Sequence, residues 1–359
     1  MMLTVSGRAQ RPADAQSPFQ PDSERTGASR GRPALLPVVE RRLAAVPDFR
    51  DVDGAARRLL TGDDRRPDHL AVGWAVAGGH RLIEQELRDR LGPRAADVRS
   101  ALPAAVEALG EHVTLSVAEA LALRCQQHGL THAFAYPGTS ELALCQALGA
   151  LGEPMLVNAR GDAEAVFMTG GAGMAGHVAA AAVVHGARGL TNATGAIGVL
   201  RRNELPALVI VGLPATSSAR FLPPHGEPEL VAAVGAFAKH SSELTWSAEM
   251  NAPEPDPIAS VDRAIGIAAS LPRGPVLLGV PQDVLEWRGV PPERLRRPPT
   301  PPKAPACPPA EDVARARLAV REATRVVVLV DDYLLALPDA TEALAGFAEA
   351  VGALVFQVR

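Results

Sequence analysis

The sequence is poor in cysteine and aromatic residues and has no long hydrophobic run. Its three cysteines, Cys125, Cys145 and Cys307, stand far apart and form no C-x-x-C pair. An odd, scattered set argues against a disulfide framework or a zinc site and fits a reducing cytoplasm. Aromatic residues make up 4% of the chain. That scarcity, with abundant Ala, Arg and Pro, fits a GC-rich coding sequence and carries no function by itself. Charge of one sign is not in excess either: the net charge is −4 and the pI about 6.2, so neither a nucleic-acid surface nor an anionic membrane is expected as a partner. No stretch approaches the roughly 20 apolar residues of a membrane span. The opening MMLTVSGRAQRPADAQ has no apolar run suited to a signal peptide. A soluble, cytoplasmic protein is the expectation.

What is present is organised in blocks. Residues 1–33 are rich in Arg, Ser, Gln, Pro and Gly without apolar period and read as a disordered tail. Residues 34–110 carry Leu, Val and Ile at three- and four-residue spacing, which predicts a helical extension. From 113 to 290 strands alternate with helices. SVAEALALRCQQHG (116–129) reads as a helix, THAFAY (131–136) as a strand, PMLVNA (154–159) as a strand and HVAAAAVVH (177–185) as a buried strand. PALVIVG (206–212) and GPVLLGVP (274–281) add further strands. This alternation predicts an α/β fold, a parallel sheet with helices on both faces. Residues 291–310 read as a proline-rich linker, and 311–359 as one β-α-β unit, an incomplete second α/β domain.

In open parallel sheets, ligands bind beyond the carboxyl ends of the strands. Three loops there draw attention. The first, YPGTSEL (136–142), holds Pro137, Gly138 and Thr139, with Ser140 as the expected helix cap. The second, RGDAEA (160–165), places Glu164 in the first turn of a helix. A carboxylate there is ordinarily just favourable to the helix dipole. The small apolar residues of AVFMTGGAGMAG predict instead that this turn is buried, where a carboxylate can share a proton with a ring nitrogen. The third, HGARGLTNA (185–193), joins His185 and Gly189 to Thr191 and Asn192, which are expected to cap the following helix. It fits neither nucleotide fingerprint, and a lone histidine at a strand end is more often structural than catalytic.

Together, YPGTSELALCQAL, DAEAVFMTGGA and HGARGLTNATGAIGVLRRNELPALVIVG resemble the pyrimidine-binding domain of the acetolactate synthase and benzoylformate decarboxylase group of thiamine-diphosphate enzymes. AFAKHSSELT (236–245) and LPRGPVLLGVPQDV (271–284) resemble its closing segments, and 311–359 resembles the opening of its central domain. The resemblance implies a thiamine-diphosphate-binding fold over 113–290 and a 2-oxo acid decarboxylase or carboligase activity. It implies that Glu164 hydrogen-bonds the cofactor's aminopyrimidine and trades a proton with it, and that His185 is an acid/base group near the substrate carboxylate. Pro137, Gly138, Thr139, Gly189 and Asn192 are the accompanying cofactor contacts.

There are departures. Ala163 stands where a histidine commonly precedes the glutamate, and TGGAGMAGH is rich in glycine for a helix. No G-D-G motif followed by an N-N pair occurs, so the diphosphate and its Mg2+ are expected on a partner subunit's domain. Half a site, completed by a partner or by oligomerisation, is therefore the leading expectation. A non-catalytic regulatory partner and a 2-oxoacid:ferredoxin oxidoreductase subunit are the alternatives.

Overall fold

The computed structural model describes residues 35–45, 52–61, 66–92, 95–174, 178–221, 223, 226–299, 308–331, 334 and 339–358. The expected tail at 1–33 and residues 300–307 of the proline-rich segment lie outside these.

Within 34–110 the described residues are largely helical, as the periodicity predicts: α1 (Pro37–Ala45), α2 (Val52–Leu60), α3 (His69–Trp74), a π-helical turn at Ala75–Gly79, α4 (His80–Leu91) and α5 (Ala95–Gly110). A short strand, β1 (Leu115–Ser116), leads into α6 (Val117–Gln127). There the Ser116 side chain accepts from the Glu119 backbone N–H, and the Glu119 carboxylate accepts in turn from the Ser116 N–H. This reciprocal cap satisfies two of the donors a helix start leaves unpaired.

The centre is an all-parallel six-stranded sheet. Its strands are β2 (His132–Ala135), β3 (Met155–Asn158), β4 (Ala180–His185), β5 (Ala207–Leu213), β6 (His240–Glu243) and β9 (Pro275–Pro281), in the order β3-β2-β4-β5-β9-β6. Between β6 and β9 lie a hairpin of β7 (Thr245–Ser247) with β8 (Ala252–Glu254) and the helix α11 (Pro257–Ala269). The remaining covering helices are α7 (Leu142–Leu151), α8 (Asp162–Gly173), α9 (Ala187–Arg202) and α10 (Leu230–Gly235).

Alternate strand residues serve opposite faces. Ala181, Val183, Leu208 and Ile210 join a core with α6, α7, α11 and the extension. Ala182, Val184, Val209 and Val211 pack against α9 and α10. That double duty explains why these strands are apolar at every position. The extension is part of the first core: Leu36, Val39 and Leu43 are at most 2% exposed and lie in one cluster with Leu148 and Leu151 of α7.

Several boundaries differ from the sequence reading. Ser140 is not the cap of α7; Glu141 takes that position without a side-chain bond to the helix's own N–H groups, and Ser140 is buried. The helix expected from 191 starts at Ala187, so Thr191 and Asn192 are not caps. The Thr191 hydroxyl instead donates to the Ala187 carbonyl at 2.7 Å. The glycine-rich helix α8 is intact to Gly173. At Gly173 an added Cβ would lie 2.5 Å from the Pro206 carbonyl oxygen, so this glycine lets α8 approach the start of β5. Gly173→Ala is expected to destabilise the fold by about 1–3 kcal/mol through overpacking, measurable by urea unfolding.

The proline-rich segment is not a spacer along its full length. β10 (Arg288–Val290) pairs with β1, and a 3-10 turn follows at Pro292–Arg296. Leu295 in that turn is fully buried. Proline fixes the turn, and Leu295 docks it. Beyond it, α12 (Ala310–Glu322), β11 (Val327–Val330), α13 (Ala340–Val351) and β12 (Leu354–Gln357) form the expected β-α-β unit, with β11 and β12 parallel. Neither of its helices has a buried residue, and Leu329 and Leu354 are 69% and 60% exposed. Two strands with helices do not bury both faces of a sheet.

Candidate functional site

Strand order brings the three loops together. β2 lies between β3 and β4, so the segments after these strands, at 136–141, 159–164 and 185–189, are neighbours on one rim. After β2 the chain passes into α7, which joins the larger core; after β4 it passes into α9, which joins the core on the opposite face. The gap between β2 and β4 is thus a topological switch point, where loops diverge and leave a crevice.

A carboxylate–imidazole pair spans that gap. Glu141 is 0% exposed, and its Oε2 lies 3.0 Å from His185 Nδ1. Its other oxygen, Oε1, accepts the Gly138 backbone N–H. A Cβ at position 138 would fall inside the His185 ring, so only glycine lets the first loop close over the imidazole. The Glu141 contact at Nδ1 fixes the orientation of the ring at the rim. The sequence reading singled out His185 but not Glu141, because their 44-residue separation is bridged only once the strand order is known. Glu141→Ala is expected to cost about 2–4 kcal/mol, since it strands a buried N–H and an imidazole nitrogen. Glu141→Gln, which keeps an acceptor, is expected to recover more than half of that loss in thermal unfolding.

Glu164 does not occupy the dry position expected of it. It is exposed in this chain, and its Oε2 accepts the Arg160 backbone N–H at 2.6 Å. The small apolar neighbours lie on the other side of α8: Ala165, Val166, Thr169 and Gly170 face inward, whereas Glu164, Phe167 and Met174 face outward. The buried carboxylate of this turn is Asp162, 6% exposed, whose Oδ1 accepts the His185 backbone N–H at 3.1 Å. Sequence reasoning passed over Asp162; its one signal was a second acidic residue in the same first turn.

The other candidates are placed as follows. Pro137, Gly138 and Thr139 line the rim beside His185, with Tyr136 48% exposed. Gly189 is buried in the first turn of α9, and Asn192 is exposed on the same helix. The buried cysteines are poor nucleophiles: burial and then the Glu141 charge push the Cys145 thiol up to about 12, and burial and then Asp262 push Cys125 up to about 12. Among the described residues, no group of three or more His, Cys, Asp and Glu side chains is placed to hold a metal, and no helix is long and apolar enough to cross a membrane.

Comparisons with known proteins bear on the fold of this domain. Residues 115–236 match the family described as thiamine pyrophosphate enzyme, N-terminal TPP binding domain. No curated protein matches the chain. Among solved structures, a Mycobacterium smegmatis protein described as a thiamin diphosphate-dependent enzyme aligns with TM-score 0.56 and 22% identity over 68% of this chain and 44% of its own. A Rhodococcus jostii RHA1 thiamine diphosphate-dependent 4-hydroxybenzoylformate decarboxylase aligns with TM-score 0.56 and 23% identity over the same shares. At such identities the likeness is one of fold, and this chain spans less than half the length of either structure. The match to the N-terminal TPP-binding domain family of thiamine pyrophosphate enzymes thus falls on residues 115–236, the segment whose three strand-end loops meet at the switch point.

Proposed function

We propose that this chain supplies the pyrimidine half of a thiamine-diphosphate site acting on a 2-oxo acid, as decarboxylase or carboligase. The observation that carries the reading is the position of Glu164, on the rim of the family-matched domain and beside the loop of Pro137–Thr139. The donor set fits an aminopyrimidine. Glu164 Oε2 is anchored by its own helix turn, which aims the carboxylate outward, and a Cβ at Gly161 would meet nothing within 4 Å. When bound, thiamine diphosphate supplies the electron sink for breaking the bond beside a 2-oxo acid's carbonyl. Glu164 holds and returns a proton at its outer oxygen. His185, oriented by Glu141, is the acid/base group this reading assigns to the substrate side.

Glu164 is uncovered here, and Phe167 and Met174, 49% and 72% exposed, share its outward face of α8. A proton-sharing carboxylate works best out of water, so this reading requires a second surface over that face. We assign that surface to a subunit carrying the diphosphate domain and its Mg2+, supplied by a partner or by oligomerisation. The 4-hydroxybenzoylformate decarboxylase among the similar folds favours an aryl 2-oxo acid. The uncovered carboxylate is also what a non-catalytic partner of a complete enzyme would show. The two readings separate in one experiment: the full chain is purified with its bound partners and assayed for CO2 release from benzoylformate and pyruvate, with thiamine diphosphate and Mg2+. Release that disappears with Glu164→Gln supports catalysis. Release indifferent to that change assigns the chemistry to the partner alone.

A further inference from the structure

Asp162 is a buried acid that the proposed chemistry leaves unused. It opens α8 at a position where a carboxylate is normally solvated, yet it is 6% exposed. It does not cap its own helix, whose cap residue is Gly161. Instead it reaches across to the neighbouring strand. β2 pairs with β4 only as far as Ala135 opposite Val183, so the His185 amide lies two residues beyond the last paired position. Asp162 Oδ1 accepts that amide at 3.1 Å, extending the hydrogen bonding of β4 beyond its pairing with β2.

The same carboxylate bears on α9. A Cβ at Gly189 would overlap the Asp162 oxygens, so glycine at 189 is what lets the first turn of α9 close on the acid. The N-terminal turns of α8 and α9 therefore both lie at this group. Leaving such a buried carboxylate without donors would be costly.

We infer that Asp162 is a positioning residue: it locks the turn that carries Glu164 to the loop that carries His185, and so fixes the spacing of the two groups across the rim. This inference rests on the reading of Glu164 as the group that addresses the pyrimidine ring. It also gives Gly189 a role in packing, in place of the cofactor contact that the sequence suggested.

The test uses the full chain, with amide hydrogen exchange at His185 and saturation-transfer NMR with thiamine as the probe. Asp162→Ala is expected to speed exchange at His185 by at least about tenfold. It is also expected to lower transfer to the aminopyrimidine protons of thiamine severalfold. Asp162→Asn, which retains an oxygen acceptor, is expected to restore both; Gly189→Ala, which displaces the carboxylate, is expected to imitate Asp162→Ala if that variant does not fold. Faster exchange with unchanged thiamine contact in Asp162→Ala, or in Gly189→Ala in its place, would reduce Asp162 to a structural residue and overturn the inference. Glu164→Gln is the control for the underlying reading: if it leaves thiamine transfer intact, the reading of Glu164 fails, whereas loss of transfer there with none in Asp162→Ala sinks only the positioning role.

Discussion

Replacing Arg124 with alanine is expected to cost about 3–5 kcal/mol of stability at neutral pH. Arg124 is 3% exposed and grips Asp262 bidentately, Nε and Nη2 each 2.6 Å from a carboxylate oxygen. Its Nη1 donates to Gln127 Oε1 at 2.8 Å and to the Arg297 carbonyl at 2.6 Å. One side chain thus ties α6 to α11 and to the folded part of the proline-rich segment. Gln127 continues the network, donating to the Ala77 and Leu295 carbonyls at 3.2 and 2.7 Å. The extension is held to the sheet domain through these bonds as well as through its apolar core.

The pH dependence follows from Asp262. Burial pushes its carboxyl up, but hydrogen bonds from His128 and Arg124, and their charges, outweigh that and hold it below the ordinary value. A depressed folded pKa contributes stability above the unfolded value, near about 3.9, and that contribution is lost as pH falls through the folded value. The wild-type chain therefore loses this contribution only in acid. In Arg124→Ala the main counter-charge is gone, and protonating Asp262 becomes a relief. The deficit of the variant is expected to shrink as pH falls from 7 toward about 4. Urea unfolding of both proteins across that range measures it. A deficit independent of pH would mean that lost packing, not the charge, dominates.

Glu164→Gln is expected to do the opposite: leave the fold alone and remove the chemistry. Its carboxylate is exposed and its one hydrogen bond lies within its own turn, so stability is expected to change by no more than about 0.5 kcal/mol. An amide cannot exchange a proton, so turnover by the assembled enzyme is expected to fall by at least about 10²-fold. The contrast with Arg124 would separate the group proposed to serve the ligand from the group that serves the core.

The sheet was legible because its strands are buried on both faces, and a run such as Ala180–Val184 has no polar alternative. The helices of the extension were legible from their period, but their contribution to the core around α7 was not: periodicity says that Leu36, Val39 and Leu43 face something, not what. At the rim, the sequence named Glu164 and His185 but exchanged the environments of two acids. It gave the dry setting to Glu164, because AVFMTGGAG is apolar overall, whereas helical geometry sends that apolarity to one face and leaves Asp162 as the buried acid. Likewise HGARG reads as a loop because glycine and arginine dominate it, yet α9 begins within it at Ala187, with Gly189 making room for Asp162. Contacts between residues far apart in the chain decided each of these, and local patterns do not carry them.

The most direct measurement is chemical-shift mapping of the 15N-labelled chain with thiamine diphosphate and Mg2+, in the presence of the proposed diphosphate-domain subunit. The account predicts that the perturbed amides cluster at 136–141, 160–164 and 185–189, the three loops around the β2–β4 gap. Perturbations confined to other surfaces, with those three loops silent while the assembly binds the cofactor, would contradict it.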